Sequence, residues 1–214
     1  MKSYLSVYSA TTYEKVIERS RFIAGCAHAE SEEEARAFVE KVRAQHSLAT
    51  HNCFAFIADA AGNLMRFSDD GEPQGTAGMP ILEVLRSKKL MQTAVVVTRY
   101  FGGIKLGAGG LVRAYSSTAA EALAGADIRE YTPCRELFFT VAYENFDALK
   151  KFLAGHDCTV KDTQYAADVR VCVAVKSAAA DAFLADAGNF MAGRLAAEAG
   201  EEYLFPFPVK ESGE

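Results

Sequence analysis

The chain has 214 residues, of which 50% are hydrophobic, and its 23 basic and 28 acidic side chains give a net charge of −5. This length and composition are typical of a soluble globular protein with two domains. Five scattered cysteines, none spaced as C-x-x-C, argue against a disulfide framework and a cysteine zinc site. No apolar run follows Lys2 or approaches the length of a membrane span, so we expect a cytoplasmic protein without a membrane partner.

The first half of the chain predicts a mixed α+β domain. Ser31 and Glu34 form a capping box before a stripe of apolar residues at helical spacing. Runs rich in β-branched residues predict the strands. In chain order we expect one or two strands in 13–29, a helix over 31–46, a hairpin of 52–59 and 64–69, a helix over 80–89, a strand over 92–101 and a helix from 111, closed near Gly125.

The second half predicts a smaller α+β domain after a boundary at 131–136, marked by Pro133. The expected elements are strand 136–143, helix 146–154, strands 158–165 and 168–175, a helix over 177–187 and strand 201–207. The order β-α-β-β-α-β is typical of ferredoxin-like domains. We therefore predict two domains, at residues 1–132 and 135–214. Residues 1–134 have balanced charges, so the second half carries the whole −5.

A glycine-rich stretch, "RYFGGIKLGAGGLVRAYSS", lies between the predicted strand and helix of the first domain. No Asp or Glu occurs between Glu83 and Glu121, and strand-to-helix junctions present backbone N–H groups to anions. Neither the Walker A nor the dinucleotide-binding spacing of glycines fits. The alternative is that the glycines only permit tight turns and close packing. The candidate anion-binding residues are Arg99, Gly102, Gly103, Lys105, Gly107, Gly109 and Arg113.

An acidic loop, "SDDGEPQGTAG", places Asp69, Asp70 and Glu72 within four residues. Three carboxylates suit Mg²⁺, but the same composition suits a turn in which Asp side chains accept backbone N–H groups. His46, His51 and Cys53 form a weak zinc pattern, because the histidines do not share a helix face. We expect no metal and no cofactor.

Two blocks of sequence carry a resemblance to a known family. "FSDDGEPQGTAGMPIL" followed by "VVVTRYFGGIKLGAGGLVRAY", with "SRFIAGCA" and "ATHNCFAFI" upstream, resembles the signature of the IMPACT family, whose bacterial members are called YigZ-like. The match covers about residues 1–132, and the remainder resembles the additional C-terminal domain of bacterial members. The resemblance implies an N-terminal domain similar to the second domain of ribosomal protein S-five and a ferredoxin-like C-terminal domain.

The resemblance also implies a function. Eukaryotic members restrain a stress-activated kinase of translation initiation by competing for its activator on ribosomes, and no enzymatic activity belongs to the motif. We therefore expect a non-catalytic regulatory protein linked to translation that engages RNA, the ribosome or a ribosome-associated factor. Asp69, Asp70, Glu72 and Thr76 are expected to order the loop beside the basic surface. The alternatives are a Mg²⁺-dependent enzyme acting on a phosphorylated small molecule or nucleotide, and a protein–protein adaptor.

Overall fold

The computed structural model describes residues 1–209, in which the chain forms two compact units. The first comprises mainly Tyr4–Glu130, and the second comprises Tyr131–Phe207 with Met1–Ser3. Both units combine helices with a sheet, so the predicted α+β class with two domains is confirmed. No helix within residues 1–209 is both long and apolar enough to cross a membrane.

The first unit is built on an antiparallel sheet with the strand order β2-β3-β6-β4-β5. Its elements are β1 (Tyr4–Val7), β2 (Thr11–Ile17), β3 (Ser20–His28), α1 (Glu32–Gln45), β4 (His51–Ile57), β5 (Met65–Ser68), α2 (Gly78–Ser87), β6 (Thr93–Tyr100) and α3 (Gly107–Ala124). The central strand β6 is buried from Thr93 to Arg99, as its run of β-branched residues predicts.

Helices cover both faces of this sheet. Along β6, Val95 and Val97 belong to the core formed with α2 and α3, whereas Ala94 and Val96 belong to the core formed with α1. This alternation follows from the two-residue period of a strand. The arrangement fixes the end of β6 and the start of α3, between which residues 101–106 form the connection.

The N-termini of α1 and α3 can be compared with the helix starts predicted from the sequence. The Ser31 side chain caps α1 by accepting the Glu34 backbone N–H at 3.2 Å, while the Glu34 carboxylate accepts the N–H of Glu30. Helix α3 begins at Gly107, earlier than the predicted start at Leu111. Gly107 and Gly109 therefore lie in the first turn of a helix and not in a loop.

The second unit has the ferredoxin-like order that the sequence predicts. Its elements are β7 (Ile128–Val141), α4 (Tyr143–Ala154), β8 (Thr159–Tyr165), β9 (Val169–Lys176), α5 (Ala180–Phe190) and β10 (Ala196–Pro208), with a short 3₁₀ turn at Ser177–Ala179. The strands of this sheet pair in the order β1-β7-β9-β8, and β10 also pairs with β7. Alternate residues of β9, from Val169 to Val175, are buried in a core with Leu149 of α4 and Phe183 of α5.

The predicted boundary at 131–136 lies next to the division between the two units, but the segment itself is part of a strand. Residues 131–135 lie within β7, which begins at Ile128, and Tyr131 and Cys134 are buried there. Because these side chains are buried within a strand, the segment is not an exposed linker. Folding of residues 1–132 and 135–214 as independent domains stays a prediction.

Candidate anion-binding site

The start of α3 offers backbone donors to a ligand. Leu106 occupies the N-cap position, and within residues 1–209 no side chain accepts a capping hydrogen bond there. The first turn also contains no acidic residue. The first N–H groups of a helix have no intrahelical acceptor, and the helix dipole makes this end positive. The local electrostatics therefore favour an anion beside Gly107 and Ala108.

Two of the predicted cations share one open pocket at this helix. Lys105 and Arg113 are exposed, and both line a pocket of about 470 Å³ with Gly110, Ser117 and Glu18. Neither cation has an ion-pair partner among residues 1–209. Glu18 supplies the carboxylate on the wall, so the three charged side chains sum to one positive charge. The sequence-predicted pair is thus brought together, with both positive charges unneutralised by an ion pair.

Arg99 lies apart from this surface, which corrects its predicted role as an exposed phosphate contact. Its side chain is only 5% exposed, and Nη1 donates to Glu72 Oε1 at 2.8 Å. Nη2 donates to Ser20 Oγ at 3.2 Å, and the guanidinium lies within 5.4 Å of the ring centroids of Phe22 and Phe101. A guanidinium held in this way is a structural cation.

The glycines divide into three roles. A Cβ on Gly102 would lie 2.0 Å from the carbonyl oxygen of Arg19, so the backbone excludes any side chain there. Gly103 and Gly107 have φ angles of 86° and 68°, in the left-handed region that favours glycine. Gly109 has ordinary helical φ, and its nearest neighbour would be the Arg113 guanidinium at 3.8 Å. Of these four glycines, only Gly109 is not required by the backbone geometry, so its missing side chain can leave room for a ligand.

The acidic loop is ordered by its own carboxylates. Asp69 Oδ1 accepts the N–H groups of Ala77 and Gly78 at 3.0 and 2.8 Å, and Oδ2 accepts that of Gly75. Asp69 therefore caps α2, whose N-cap residue Ala77 has no side-chain acceptor of its own. The hydroxyl of Thr76 donates to the Pro73 carbonyl at 2.6 Å, which tightens the same turn.

Asp70 and Glu72 fasten this loop to the body of the unit. Asp70 accepts the Asn52 backbone N–H at 2.6 Å and pairs with Arg43 at 3.2 Å. Glu72 Oε1 accepts both Arg99 and the Tyr115 hydroxyl, the latter at 2.7 Å. Burial raises the pKa of Tyr115 well above its ordinary value, so this hydroxyl keeps its proton and donates. The loop thus pairs with Arg99 of the predicted cations, and not with Lys105 or Arg113.

The carboxylates and histidines do not gather into a metal centre. Within residues 1–209 no group of three or more His, Cys, Asp or Glu side chains is placed to hold a metal ion. His46 Nδ1 lies 3.0 Å from the Tyr100 hydroxyl, and His51 Nδ1 lies 2.7 Å from the Asp70 carbonyl oxygen. Cys53 is buried, and burial raises its pKa above the ordinary thiol value. The residues considered for Mg²⁺ and zinc instead serve the packing of the loop.

Two residues of this region were not singled out by the sequence. Tyr115 lies within the quoted motif, and its spacing from Leu111 on the buried face of α3 was a usable signal. Phe101 follows the buried strand β6 yet is 46% exposed. Nothing in its local pattern distinguishes it from a core residue at the end of the strand.

The fold and site define a two-domain α+β protein with a basic pocket at a strand-to-helix junction of its first domain. Residues 18–123 match the family model described as the Impact N-terminal domain, and residues 139–194 match a domain of unknown function, DUF1949.

Known proteins with similar sequences carry the same family name. The chain is 39% identical over 183 residues to IMPACT family member YvyE of Bacillus subtilis, covering 86% of this chain and 84% of the relative. It is 38% identical over 204 residues to IMPACT family member YigZ of Escherichia coli, covering 94% and 100%. A solved structure titled as a hypothetical protein is 37% identical, with a TM-score of 0.61 and coverage of 94% and 98%. The chain belongs to the IMPACT family, as its two sequence blocks predict.

Proposed function

We propose that this chain is a non-catalytic cytoplasmic regulatory protein linked to translation, which binds RNA on or near the ribosome through its first domain. The observation that carries the proposal is the pairing state of Lys105 and Arg113. Both are exposed, both line one pocket, and both lack an ion-pair partner within residues 1–209. Cations in this state release counterions from a phosphate backbone on binding.

The start of α3 adds a second contribution at the same place. Lys105 and Gly110 line the pocket, and the uncapped first turn of α3 lies between them in the chain. Helix N-termini and basic side chains together favour phosphate over a neutral ligand. Glu18 opposes this effect in part, so we expect binding of moderate affinity that is sensitive to salt.

The alternative, a Mg²⁺-dependent enzyme, is less well supported by the loop. Asp69 caps α2, Asp70 holds Asn52 and Arg43, and Glu72 is occupied by Arg99 and Tyr115. A catalytic carboxylate set for Mg²⁺ requires oxygens that converge on one point. The geometry therefore favours ordering of the loop over metal chemistry.

Co-sedimentation with purified ribosomes tests the proposal. The parent protein is expected to pellet with ribosomes at low salt and to be released as salt is raised. The Lys105→Ala, Arg113→Ala double variant is expected to remain in the supernatant, whereas Lys88→Ala, which removes an exposed cation outside the pocket, is expected to pellet as the parent does. Failure of the parent to bind either ribosomes or their extracted RNA would contradict the proposal.

A further inference from the structure

A second cavity lies beside the anion-binding pocket, and it has a different chemistry. It encloses about 430 Å³ at the end of β6, which is the size of small-molecule sites. Its wall contains apolar Pro73, Leu106 and Leu111 and polar His51, Glu72 and Arg99. A mostly apolar cavity with a few convergent polar groups is the usual form of a specific binding site.

Two hydrogen-bond acceptors on this wall are unoccupied. Glu72 Oε1 already accepts two donors, but Oε2 receives none from residues 1–209. His51 Nδ1 lies 2.7 Å from the Asp70 carbonyl oxygen, which can only accept, so Nδ1 carries the proton. In the neutral ring, Nε2 is then an acceptor, and it lies 3.9 Å from Glu72 Oε2. The cavity therefore presents two adjacent acceptors.

The two adjacent acceptors favour one kind of base. They complement a ring edge that carries two adjacent N–H donors. Among the RNA bases only guanine has that edge, with N1–H and the 2-amino group next to O6. Adenine and cytosine offer a single amino donor there, and uracil offers one N–H between two carbonyls.

The remaining lining suits a nucleotide attached to a chain. Phe101 is 46% exposed and lines the cavity, which provides a ring on which an unstacked base can stack. Lys105 lines both this cavity and the pocket that contains Arg113. A phosphate next to a base held in the cavity would therefore meet the cations of the anion-binding pocket.

We propose that the cavity binds a guanine base of single-stranded RNA, with Glu72 and His51 accepting its N–H groups. The inference rests on the proposed function and adds base specificity to it. Glu72 and His51 determine which base is bound, Phe101 stacks on it, and Lys105 and Arg113 hold its neighbouring phosphates.

Three nonamers that differ at one base test the inference with the full chain. Fluorescence anisotropy should show about tenfold tighter binding of U₄GU₄ than of U₄IU₄, in which inosine lacks only the 2-amino group, and than of U₉. Equal affinities for the three RNAs would overturn the guanine site. Guanosine 5′-monophosphate should compete only at far higher concentration, and competition at the concentration of the nonamer would overturn the assignment to RNA.

A variant pair keeps the test independent of folding. Phe101→Ala should weaken U₄GU₄ about tenfold because it removes the stacking surface, while Phe67→Ala, an aromatic of similar exposure outside the cavity, should leave the affinity unchanged. Unchanged affinity of U₄GU₄ in Phe101→Ala would overturn the inference. If all three RNAs bind equally but lose affinity in the Lys105→Ala, Arg113→Ala variant, the guanine site fails and the proposed function stands. If no RNA binds at all, both fail.

Discussion

The two units each carry an open pocket with two cations, but the state of those cations differs. In the second unit a pocket of about 410 Å³ contains Lys161 and Arg170. Lys161 donates to Glu136, whose hydrogen bond raises the pKa of the lysine, and Arg170 pairs with Glu198 at 3.0 Å. In the first unit, Lys105 and Arg113 have no such partner within residues 1–209.

This difference shows why a count of charges does not locate an anion site. Both pockets hold two basic residues, yet an incoming phosphate must displace a carboxylate in the second unit and need not do so in the first. An exposed ion pair contributes little to stability, but it lowers the charge available to a ligand. The pairing of the cations, and not their number, is therefore the reason that we place the proposed RNA binding in the first unit.

The largest expected effect separates the buried ion pair from the exposed one. Glu72→Gln leaves the Arg99 guanidinium buried without its counterion, which should lower the free energy of unfolding by about 3–5 kcal/mol. Glu136→Gln removes the partly exposed partner of Lys161 and should cost no more than about 1 kcal/mol. Urea unfolding at neutral pH measures both. Equal losses for the two variants would show that the Arg99 pair is not buried in solution.

A smaller effect distinguishes Gly102, which the fold requires, from Gly109, which leaves room for a ligand. Gly102→Ala forces a Cβ against the Arg19 carbonyl and should cost about 1–3 kcal/mol of stability. Gly109→Ala meets no close atom in a helix and should keep or raise stability by up to about 1 kcal/mol. Thermal unfolding of the two variants measures these changes in stability. Destabilisation by Gly109→Ala would contradict the assigned helical geometry.

Alkaline pH should destabilise the first unit through a buried thiol. Burial raises the pKa of Cys26 to about 12, whereas an unfolded thiol ionises near 8.5. Between these values the unfolded chain releases the proton and the native state keeps it, so stability falls as pH rises, by about 1.4 kcal/mol per pH unit at most. Unfolding free energies at pH 8 and pH 9.5 should differ less in Cys26→Ala. The same pH dependence of stability in parent and variant would show that Cys26 does not cause it.

The smallest effect concerns the carboxylate of the anion-binding pocket. Glu18→Gln removes the negative charge that lines the pocket with Lys105 and Arg113, so RNA affinity should rise about two- to fivefold at low salt. Glu83→Gln removes a surface carboxylate outside that pocket, where it pairs with Arg86, and should leave RNA affinity unchanged. Filter binding of RNA to the parent and the two variants at one low salt concentration measures these affinities. An equal gain in both variants would indicate a general charge effect without a defined site.

Much of this fold follows from local sequence patterns. The apolar alternation of β9, the apolar run of β6 and the Ser31 cap are local signals, and the structure contains each of them. The sequence did not predict that β7 continues through Pro133, because proline lacks an N–H donor and usually marks a strand end or edge. The early start of α3 was missed because glycines are poor helix formers, although they are tolerated in a first turn.

The candidate site was predictable only in part. The absence of acidic residues from Glu83 to Glu121 grouped Lys105 with Arg113, and the structure places both in one pocket near the start of α3. It wrongly included Arg99 among the surface cations, because its partner Glu72 lies 27 positions earlier in the chain. Pairing across such distances is set by tertiary packing, which local composition does not report.

The salt dependence of RNA binding tests the central claim most directly. For the full chain and a single-stranded RNA, the logarithm of the binding constant should fall linearly with the logarithm of the salt concentration. Lys105→Ala with Arg113→Ala should reduce that slope by about two, or about one per lost phosphate contact, with stability changed by less than about 0.5 kcal/mol. Arg170→Ala, which removes a paired cation from the second unit, should leave the slope unchanged. An unchanged slope in the double variant, or an equal reduction in Arg170→Ala, would contradict the assignment of RNA binding to the unpaired cations of the first unit.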